Sequence, residues 1–280
     1  MAGPDPLVAI ITRTKNRPVL LSRAIESVIR QTYKNYVHII VNDGEPLKQE
    51  TLAGGTFVVS VNTNGKMEAA TNAGVYAAQK LHAEYITLLD DDDTWSPEFL
   101  SVMVNSFRDY APASAKGIVC QSNIVHEKVL GNCIVPVGMQ LANPRMPEIG
   151  ILPIPYLADL RNNFGVNQFL YKTKFLDELS YYYDDQLTVY GDWDFNLRFI
   201  SLSEIFIIPN YLSFYHHRIN DNSINDPSKQ TQREICKTLI VNKHLRSPNS
   251  IFAPFFRTDL ELENRLISME DNLKKLEGHE

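Results

Sequence analysis

Four consecutive aspartates follow a run of apolar residues in the segment LLDDDDTW, residues 88–95. Because side chains alternate in direction along an extended chain, Asp90 and Asp92 are expected on one side and Asp91 on the other. Two carboxylates on one side suit a hard divalent cation, and Mn²⁺ or Mg²⁺ would leave coordination positions for substrate phosphates. Asp91 would then accept hydrogen bonds from sugar hydroxyls. The spacing does not fit an EF-hand calcium loop, and a solvated acidic turn is the alternative interpretation.

A second group of candidate catalytic residues lies in the segment YGDWDFNLRF, residues 190–199. Asp192 stands at the start of a helical pattern and Asp194 follows two positions later, so the two carboxylates should differ in orientation and in role. A carboxylate at the start of a helix can act as a general base towards an attacking hydroxyl, or it can be only a helix N-cap. Trp193 would either stack on a sugar ring or pack against the helix.

A third candidate segment is FYHHR, residues 214–218. Histidine is a common metal ligand, and the arginine guanidinium suits a bidentate contact with a diphosphate. Strand alternation allows only one of His216 and His217 to face a site. Arg218 is the candidate diphosphate contact, and a purely structural role for each histidine is the alternative.

The elements that must position these residues can be predicted from periodicity. Four short runs rich in β-branched and aromatic residues read as strands: Leu7–Thr12, Tyr36–Val41, Thr56–Val61 and Glu84–Leu89. Helical patterns lie between them: residues 20–29 after Asn16 as N-cap, Lys66–Leu81, and a stretch with Ser96 as cap and Pro97 at its first position. This alternation predicts an α/β fold with a mostly parallel, Rossmann-like sheet flanked by helices.

Polar segments follow three of the predicted strands. The first strand is followed by TRTKNRP, the second by NDGE and the fourth by the aspartate run. Parallel α/β sheets bind ligands beyond the carboxyl ends of their strands. We therefore expect one site at this edge of the sheet, although polar loops are also ordinary in any protein.

The second half of the chain is less regular. Five prolines between Pro136 and Pro155 predict a surface loop. A helix is predicted over Asp192–Leu202, a strand over Tyr211–Arg218 and a helix over Ser228–Leu245. A heptad seam follows at Leu262, Leu266, Met269, Leu273 and Leu276. The predicted organisation is a catalytic domain at residues 1–225, a helix and linker at 226–257, and a short amphipathic or coiled-coil helix at 258–280, open to self-association or to packing on the body.

Composition excludes several functional classes. The 280 residues carry a net charge of −6 and a sequence pI near 5.7, which argues against nucleic-acid binding because no basic excess is present to neutralise phosphates. The three cysteines have no metal-ligand spacing and are typical of a reducing compartment. No apolar run or signal-peptide pattern predicts membrane insertion. We expect a cytoplasmic protein, with peripheral attachment to the inner face of the membrane left open.

Taken in order, these segments resemble family 2 glycosyltransferases of the GT-A fold. The resemblance is carried by TRTKNRP, RAIESVIRQTY, IIVNDG, NTNGKMEAATNAG, YITLLDDDDTWSPEFL and GDWDFNLR, and it extends over about three quarters of the chain. It implies the GT-A fold and the transfer of a sugar, with inversion, from a nucleotide diphosphate donor. This transfer would depend on Mn²⁺ or Mg²⁺. The resemblance is specific for fold and reaction class, and it leaves the donor sugar and the acceptor open.

The resemblance implies roles for residues that contact the donor. Thr12, Arg13 and Thr14 would lie along the nucleotide, and Asp43 would bind the nucleobase. The family's paired acids are here Asn42 and Asp43, so one carboxylate is missing. The family's Asp-X-Asp motif falls on the aspartate run, with Asp92 as the metal ligand, Asp91 near the ribose and Asp90 also close. Thr71 stands where many relatives carry arginine, so a phosphate or base contact is expected from Lys66.

The resemblance also implies how the transfer step is catalysed. The family's Glu-Asp pair aligns Asp192 with the catalytic base and leaves Gly191 in place of the glutamate, whose contribution is missing or supplied elsewhere. A histidine after the catalytic helix completes the metal shell in many such enzymes, here His216 or His217.

The expected function is an inverting transfer of a sugar from a nucleotide-sugar donor, a UDP-sugar being favoured, to a glycan or lipid-linked acceptor in bacterial surface polysaccharide synthesis. A sugar nucleotidyltransferase and a non-catalytic nucleotide-sugar-binding module are the alternatives. The first usually has a glycine-rich basic loop after its first strand, and TRTKNRP contains no glycine.

Overall fold

The computed structural model describes residues 5–47, 56–63, 66–130, 133–142, 146–158, 162–218 and 229–277. Its ten strands are β1 Val8–Thr14, β2 Tyr36–Asn42, β3 Thr56–Ser60, β4 Tyr85–Leu88, β5 Thr94–Trp95, β6 Ala115–Leu130, β7 Cys133–Leu141, β8 Gly150–Ile151, β9 Phe169–Lys172 and β10 Glu204–Arg218. The helices are α1 Pro18–Ile29, α2 Met67–Lys80, α3 Phe99–Asp109, α4 Pro155–Ala158, α5 Gly191–Leu202, α6 Gln230–Arg246 and α7 Ala253–Glu277, with 3₁₀ turns at Val166–Gln168 and Thr173–Glu178.

The strands form one sheet in the order β3-β2-β1-β4-β9-β6-β10-β5, with β7 added beside β6 and β8 beside β10. The first four strands are parallel, as predicted, and β6 is parallel to β10. Beyond β4 the sheet becomes mixed, because β9 runs antiparallel to both β4 and β6. The carboxyl ends of β1, β2, β4, β6 and β10 therefore lie at the same edge.

Side chains of the buried strands alternate between two cores, one on each face of the sheet. Ile11 packs with α2 and α5 on one face, and Ile10 packs with α1 and α3 on the other. Gly74 in α2 allows a close approach to β1, since a Cβ there would lie 2.4 Å from Cγ2 of Ile11. Helices cover both faces, as parallel sheets require, and the edge at the strand ends is left for a site.

Two predicted helix starts are wrong by a few residues. Arg17, not Asn16, occupies the N-cap position of α1, because Asn16 adopts a left-handed conformation with φ 55°. Asn16 Oδ1 instead accepts a hydrogen bond from the Glu45 N–H at 2.8 Å. The third helix begins at Phe99 with Glu98 as N-cap, so Ser96 and Pro97 lie in the turn before it.

The predicted loop from Pro136 to Pro155 is wrong at its beginning. Strand β7 runs through Pro136 and pairs antiparallel with β6, with a register shift next to the proline. Among the described strands β7 pairs with β6 alone. Proline is tolerated on such an edge strand because its missing N–H does not interrupt a second ladder.

The C-terminal extension is helical, as predicted. Phe252 and Phe256 are fully buried in the core that contains α5, whereas Leu262, Leu266 and Met269 are exposed. The side chains of Leu273 and Leu276 lie outside the described part of the structure, and so does the predicted boundary at residues 225/226. The boundary at residues 257/258 falls inside the continuous helix α7. None of the helices in the described part of the chain combines the length and apolar character needed to cross a bilayer.

Candidate active site

A cavity of about 620 Å³ opens at the edge of the sheet where the parallel strands end. It is bounded by the segments after β1, β2 and β4, by the first turns of α2 and α5, and by the end of β10. The polar segments that were expected to meet at one edge are therefore brought together. All of the predicted site residues line the cavity except Thr12, Asp91 and Trp193.

The aspartate run forms a compact acidic group. One ligand atom from each of Asp90, Asp92 and Asp93 lies within 4.8 Å of the others, the arrangement that a metal ion requires. Asp92 Oδ2 accepts hydrogen bonds of 3.0 Å from both Arg17 and Arg218. Carboxylate oxygens are the ligands preferred by Mg²⁺ and Mn²⁺, so this donor set fits a divalent cation.

Two of the four aspartates, Asp93 of this group and Asp91 outside it, are buried. Asp93 accepts hydrogen bonds from the Asn167 amide at 2.7 Å and from the His216 N–H at 2.9 Å, and it thereby ties the aspartate turn to β10. Asp91 is fully buried, where it accepts a hydrogen bond of 2.8 Å from the Thr14 hydroxyl. Burial raises the pKa of both carboxyl groups, and the neighbouring Asp92 raises them further. Asp91 does not reach the cavity, so the sugar contact predicted for it is wrong.

Strand β1 supplies a guanidinium to the cavity. Arg13 donates to Asp90 through Nε at 3.0 Å and to the Thr71 hydroxyl through Nη1 at 2.9 Å. The position next to Thr71 is thus filled by an arginine that comes from a different element. Thr12 is fully buried, and its hydroxyl lies 2.9 Å from Nε2 of His38 on β2. The nucleotide contact predicted for Thr12 is wrong because the alternation of β1 turns that side chain into the sheet interior.

The two polar residues at the end of β2, Asn42 and Asp43, have different contacts. Asp43 lines the cavity, and its Oδ1 accepts the Thr63 N–H at 2.6 Å. Asn42 closes the turn that follows, because its side-chain amide donates to the Glu45 carbonyl at 2.9 Å. Lys66, the N-cap residue of α2, also lines the cavity.

Asp192 is the second residue of α5 and lines the cavity, within electrostatic reach of Arg13 and Asp90 at the sheet edge. Its Oδ2 accepts a hydrogen bond of 2.5 Å from the Asn162 amide, and its Oδ1 accepts the Trp193 N–H at 2.9 Å. Burial raises the pKa of Asp192 above its ordinary value, although both hydrogen bonds lower it. Tyr190, not Asp192, holds the N-cap position, so the capping interpretation does not explain the carboxylate.

Trp193 does not take part in the cavity. Its side chain is buried in the core, its Nε1–H donates to the Leu157 carbonyl at 3.1 Å, and its ring lies near Phe256. The prediction that Trp193 stacks on a sugar is wrong. Trp193 follows Asp192 on the helix, and its side chain therefore points into the core and not into the cavity.

Glu68 takes up the space beside Asp192 that Gly191 leaves open. It is the second residue of α2, only 2% exposed, and it lines the cavity. Burial raises the pKa of Glu68 to about 7, against the lowering effect of Arg13. Position 191, where the family's glutamate is missing, thus has the carboxylate of Glu68 next to it, contributed by another helix.

Both predicted histidines line the cavity, and the expectation that only one of them faces the site stays a prediction. His216 is held by two contacts of 2.8 Å, from Nε2 to the Thr94 hydroxyl and from Nδ1 to the buried carboxylate of Glu127. His217 packs edge-on against His126. Among the described residues, neither histidine belongs to the acidic group that suits a metal.

Several residues that shape the site were not singled out in the sequence. Arg17 pairs with two aspartates, Arg23 pairs with Glu127 at 2.6 Å, and Asn162 holds the presumed base. Arg17 stands in the TRTKNRP segment. The several cationic residues of this segment, expected at the same edge as the aspartate run, were a signal from which its ion pairs could have been predicted. Asn162 and Glu68 carry no comparable signal because their relation to Asp192 exists only in the folded chain.

Comparison with known proteins identifies the family. Residues 9–136 match the model for "Glycosyl transferase family 2". The chain is 31% identical over 210 residues to the putative colanic acid biosynthesis glycosyl transferase WcaA of Escherichia coli K12, an alignment that covers 70% of this chain and 67% of WcaA. The chain belongs to glycosyl transferase family 2. The uncharacterized glycosyltransferase RT0329 of Rickettsia typhi is 24% identical to this chain over 205 residues, which are 72% of this chain and 61% of RT0329.

Solved structures show that this family 2 chain has the GT-A fold. S. aureus TarS in complex with UDP superimposes with a TM-score of 0.63 at 14% identity, covering 90% of this chain and 70% of TarS. TarS in complex with UDP-GlcNAc gives the same TM-score and covers 71% of that chain. The predicted α/β GT-A architecture is confirmed.

Proposed function

We propose that this family 2 member is an inverting, metal-dependent glycosyltransferase that moves a sugar from a nucleotide diphosphate donor to a hydroxyl of a glycan or lipid-linked acceptor. One observation carries the proposal: a carboxylate with a raised pKa, Asp192, faces the same cavity as an acidic group suited to a divalent cation. The two features together suit inverting transfer, since one group must accept the acceptor proton and a bound cation can hold the departing diphosphate.

The donor side of the proposed reaction is the sheet edge. Asp92 is the proposed metal ligand, and the neighbouring Asp90 and Asp93 offer further oxygens. A cation bound there would neutralise the charge that develops on the departing diphosphate. Arg218 and Lys66 line the same cavity and are the proposed source of positive charge for the phosphates, and Asp43, which also lines the cavity, is the proposed contact for the nucleobase. UDP is the favoured nucleotide because TarS, which has the same fold, was solved with UDP and UDP-GlcNAc.

The acceptor side is the first turn of α5. Asp192 takes the proton from the attacking hydroxyl, and its raised pKa makes it a stronger base than an exposed aspartate. Asn162 fixes the orientation of the carboxylate. The name of WcaA supports a role in bacterial surface polysaccharide synthesis, which we place in the cytoplasm and at the inner face of the membrane when the acceptor is lipid-linked.

The test is release of nucleoside diphosphate from UDP-glucose, UDP-galactose, UDP-N-acetylglucosamine and GDP-mannose, each with Mn²⁺ and with a chelator. We expect at least one donor to be turned over only with Mn²⁺, and Asp92→Asn to lose this turnover and the Mn²⁺-dependent binding of the same donor. Asp109→Asn, at an exposed aspartate paired with Arg108, is the matched control and should behave as wild type.

Turnover that is insensitive to the chelator would contradict the metal assignment. Binding of a donor without any turnover would favour the non-catalytic module. Release of pyrophosphate from a sugar phosphate and a nucleoside triphosphate would favour the nucleotidyltransferase.

A further inference from the structure

Glu68 and Gly191 compete for one small volume in the cavity wall. A Cβ at position 191 would lie 2.4 Å from both Cγ and Oε1 of Glu68. Gly191 is the first residue of α5, with helical backbone, so its conformation does not demand glycine. The Gly191 backbone also hydrogen-bonds to the Glu68 carboxyl group. The glycine is therefore explained by the room that the Glu68 carboxylate occupies.

The second carboxylate oxygen of Glu68 has no such explanation. Oε2 is buried and has no hydrogen-bond partner among the described residues, although the side chain lines the cavity. A buried oxygen without a partner destabilises a fold. An acid near a helix N-terminus is favourable, but this effect needs no burial and leaves the unpaired oxygen unexplained. An oxygen of this kind at a cavity wall is suited to accept a hydrogen bond from a ligand hydroxyl.

We propose that Glu68 is a substrate-contacting residue whose Oε2 accepts a hydrogen bond from a sugar hydroxyl bound beside Asp192. This inference rests on the proposed function. Asp192 and Glu68 are each the second residue of a helix, and the two helices bring their carboxylates to one part of the cavity. While Asp192 takes a proton from the attacking hydroxyl, Glu68 fixes the orientation of a sugar at the same place, which lowers the entropic cost of reaching the transition state.

Arg13 supports this role from the other side. Its guanidinium lies close enough to Glu68 to favour the ionised carboxylate, the form that only accepts hydrogen bonds. The hydroxyl could belong to the donor sugar or to the acceptor sugar. The two sources differ in their consequences, because hydrolysis of the donor needs no acceptor.

The decisive variant is Glu68→Gln. The amide oxygen of the glutamine can keep the contact with Gly191. Its NH₂ group then takes the place of Oε2, so a hydrogen-bond acceptor is replaced by a hydrogen-bond donor. We expect transfer to fall roughly 10- to 100-fold, the loss that corresponds to a hydrogen bond to a charged group, with an unchanged or higher melting temperature. The probe is the UDP-sugar turned over by the wild type with Mn²⁺, assayed with and without a simple glycoside as acceptor. A donor contact lowers both rates, and an acceptor contact lowers only transfer and raises the KM for the glycoside.

A relocation experiment tests the shared volume. Glu68→Ala with Gly191→Glu moves the carboxylate to the opposite wall of the same space, and Glu68→Ala with Gly191→Ala is the matched control without a carboxylate. We expect the first double variant to transfer several-fold faster than the second.

Transfer by Glu68→Gln within twofold of wild type would overturn the inference, as would a folded Gly191→Glu double variant no faster than its control. If the wild type is active and Asp192→Asn is not, these results overturn the inference alone. A wild type that turns over no nucleotide sugar overturns the proposed function, and the inference with it.

Discussion

The carboxylates around the cavity differ in whether a neighbouring cation balances their negative charge. Asp90 and Asp92 are held by arginines, so their negative charge is balanced before any ligand binds. Asp192 and Glu68, in the first turns of α5 and α2, instead have raised pKa values because they are buried. Under the proposed function, the first pair serves the diphosphate and Asp192 accepts the proton.

The raised pKa of Glu68 predicts a pH-dependent difference in stability. Folding raises this pKa from about 4.5 to about 7, so the stability contributed by the protonated group is complete below pH 4.5 and is lost as the pH rises through 7. The charged groups facing Glu68 are Arg13 and Asp192. Glu68→Gln removes the titration, so its melting temperature should match wild type at pH 4 and exceed it at pH 8. An equal difference at both pH values, measured by calorimetry, would contradict the account.

At single positions, the sequence predicted which segments supply the site residues better than it predicted which side chains point into the cavity. Arg13, Asp92 and Asp192 line the cavity as expected. Thr12 and Asp91 belong to the same motifs but face the interior, because one residue along a strand or turn reverses the side chain. Glu68 could not be predicted, since its relation to Gly191 spans 123 positions of the chain and depends on how two helices pack.

Helix α5 is anchored by buried charges that lie outside the proposed chemistry. Asp194 is fully buried and pairs with Arg198 at 2.9 Å and with Lys243 of α6 at 3.2 Å. These contacts fix the helix whose first turn carries Asp192. The ordering of α5 therefore depends on α6 as well as on the sheet.

Asp194→Ala should lower the free energy of unfolding by about 3 kcal/mol, because it leaves a largely buried Arg198 without this carboxylate. Asp185→Ala, at an exposed aspartate nearby, should leave it unchanged. Urea denaturation of both variants is the measurement. Equal stabilities of the two variants would show that the pairing with α6 does not hold α5 in place.

Elements were predictable where the apolar period was strong. β1, β2, β3 and α2 fall within two residues of their predicted limits because short β-branched and aromatic runs and a helical apolar period leave clear patterns. The β6–β7 hairpin was missed because most of the described side chains of β7 are exposed, which leaves no buried face, and because Pro136 argues against a strand despite the neighbouring valines. Its pairing partner is what makes it a strand.

The C-terminal helix carries exposed apolar side chains at heptad positions predicted from the sequence. Phe252, Phe256 and Leu260 pack against the body, and beyond them Leu262, Leu266 and Met269 are exposed at spacings of four and three. Such a stripe on a protruding helix buries little unless it finds a partner. We propose that it pairs with the same helix of a second copy.

Deletion of residues 262–280 should convert a dimer to a monomer without loss of the fold, because the core contacts of α7 that the structure describes precede this segment. Light scattering of the full chain and the truncated chain measures the change. Leu262→Glu with Leu266→Glu is the variant that keeps chain length, and it should have the same effect as the deletion. A monomer mass for the full chain would refute the proposal.

The central claim is that Asp192 is the general base of a glycosyl transfer, and Asp192→Asn tests it most directly. Asn162 Oδ1 has no hydrogen-bond partner in the described structure, so a flip of the Asn162 amide would let an asparagine at position 192 keep both hydrogen bonds. The melting temperature and the donor dissociation constant should therefore stay near wild type.

The initial rate of transfer at saturating donor should fall by roughly 10²–10⁴-fold, the usual contribution of general-base catalysis. Asp185→Asn, which alters an exposed aspartate away from the cavity, should transfer at the wild-type rate. An Asp192→Asn enzyme that binds the donor normally and transfers within a few-fold of wild type would show that the base lies elsewhere.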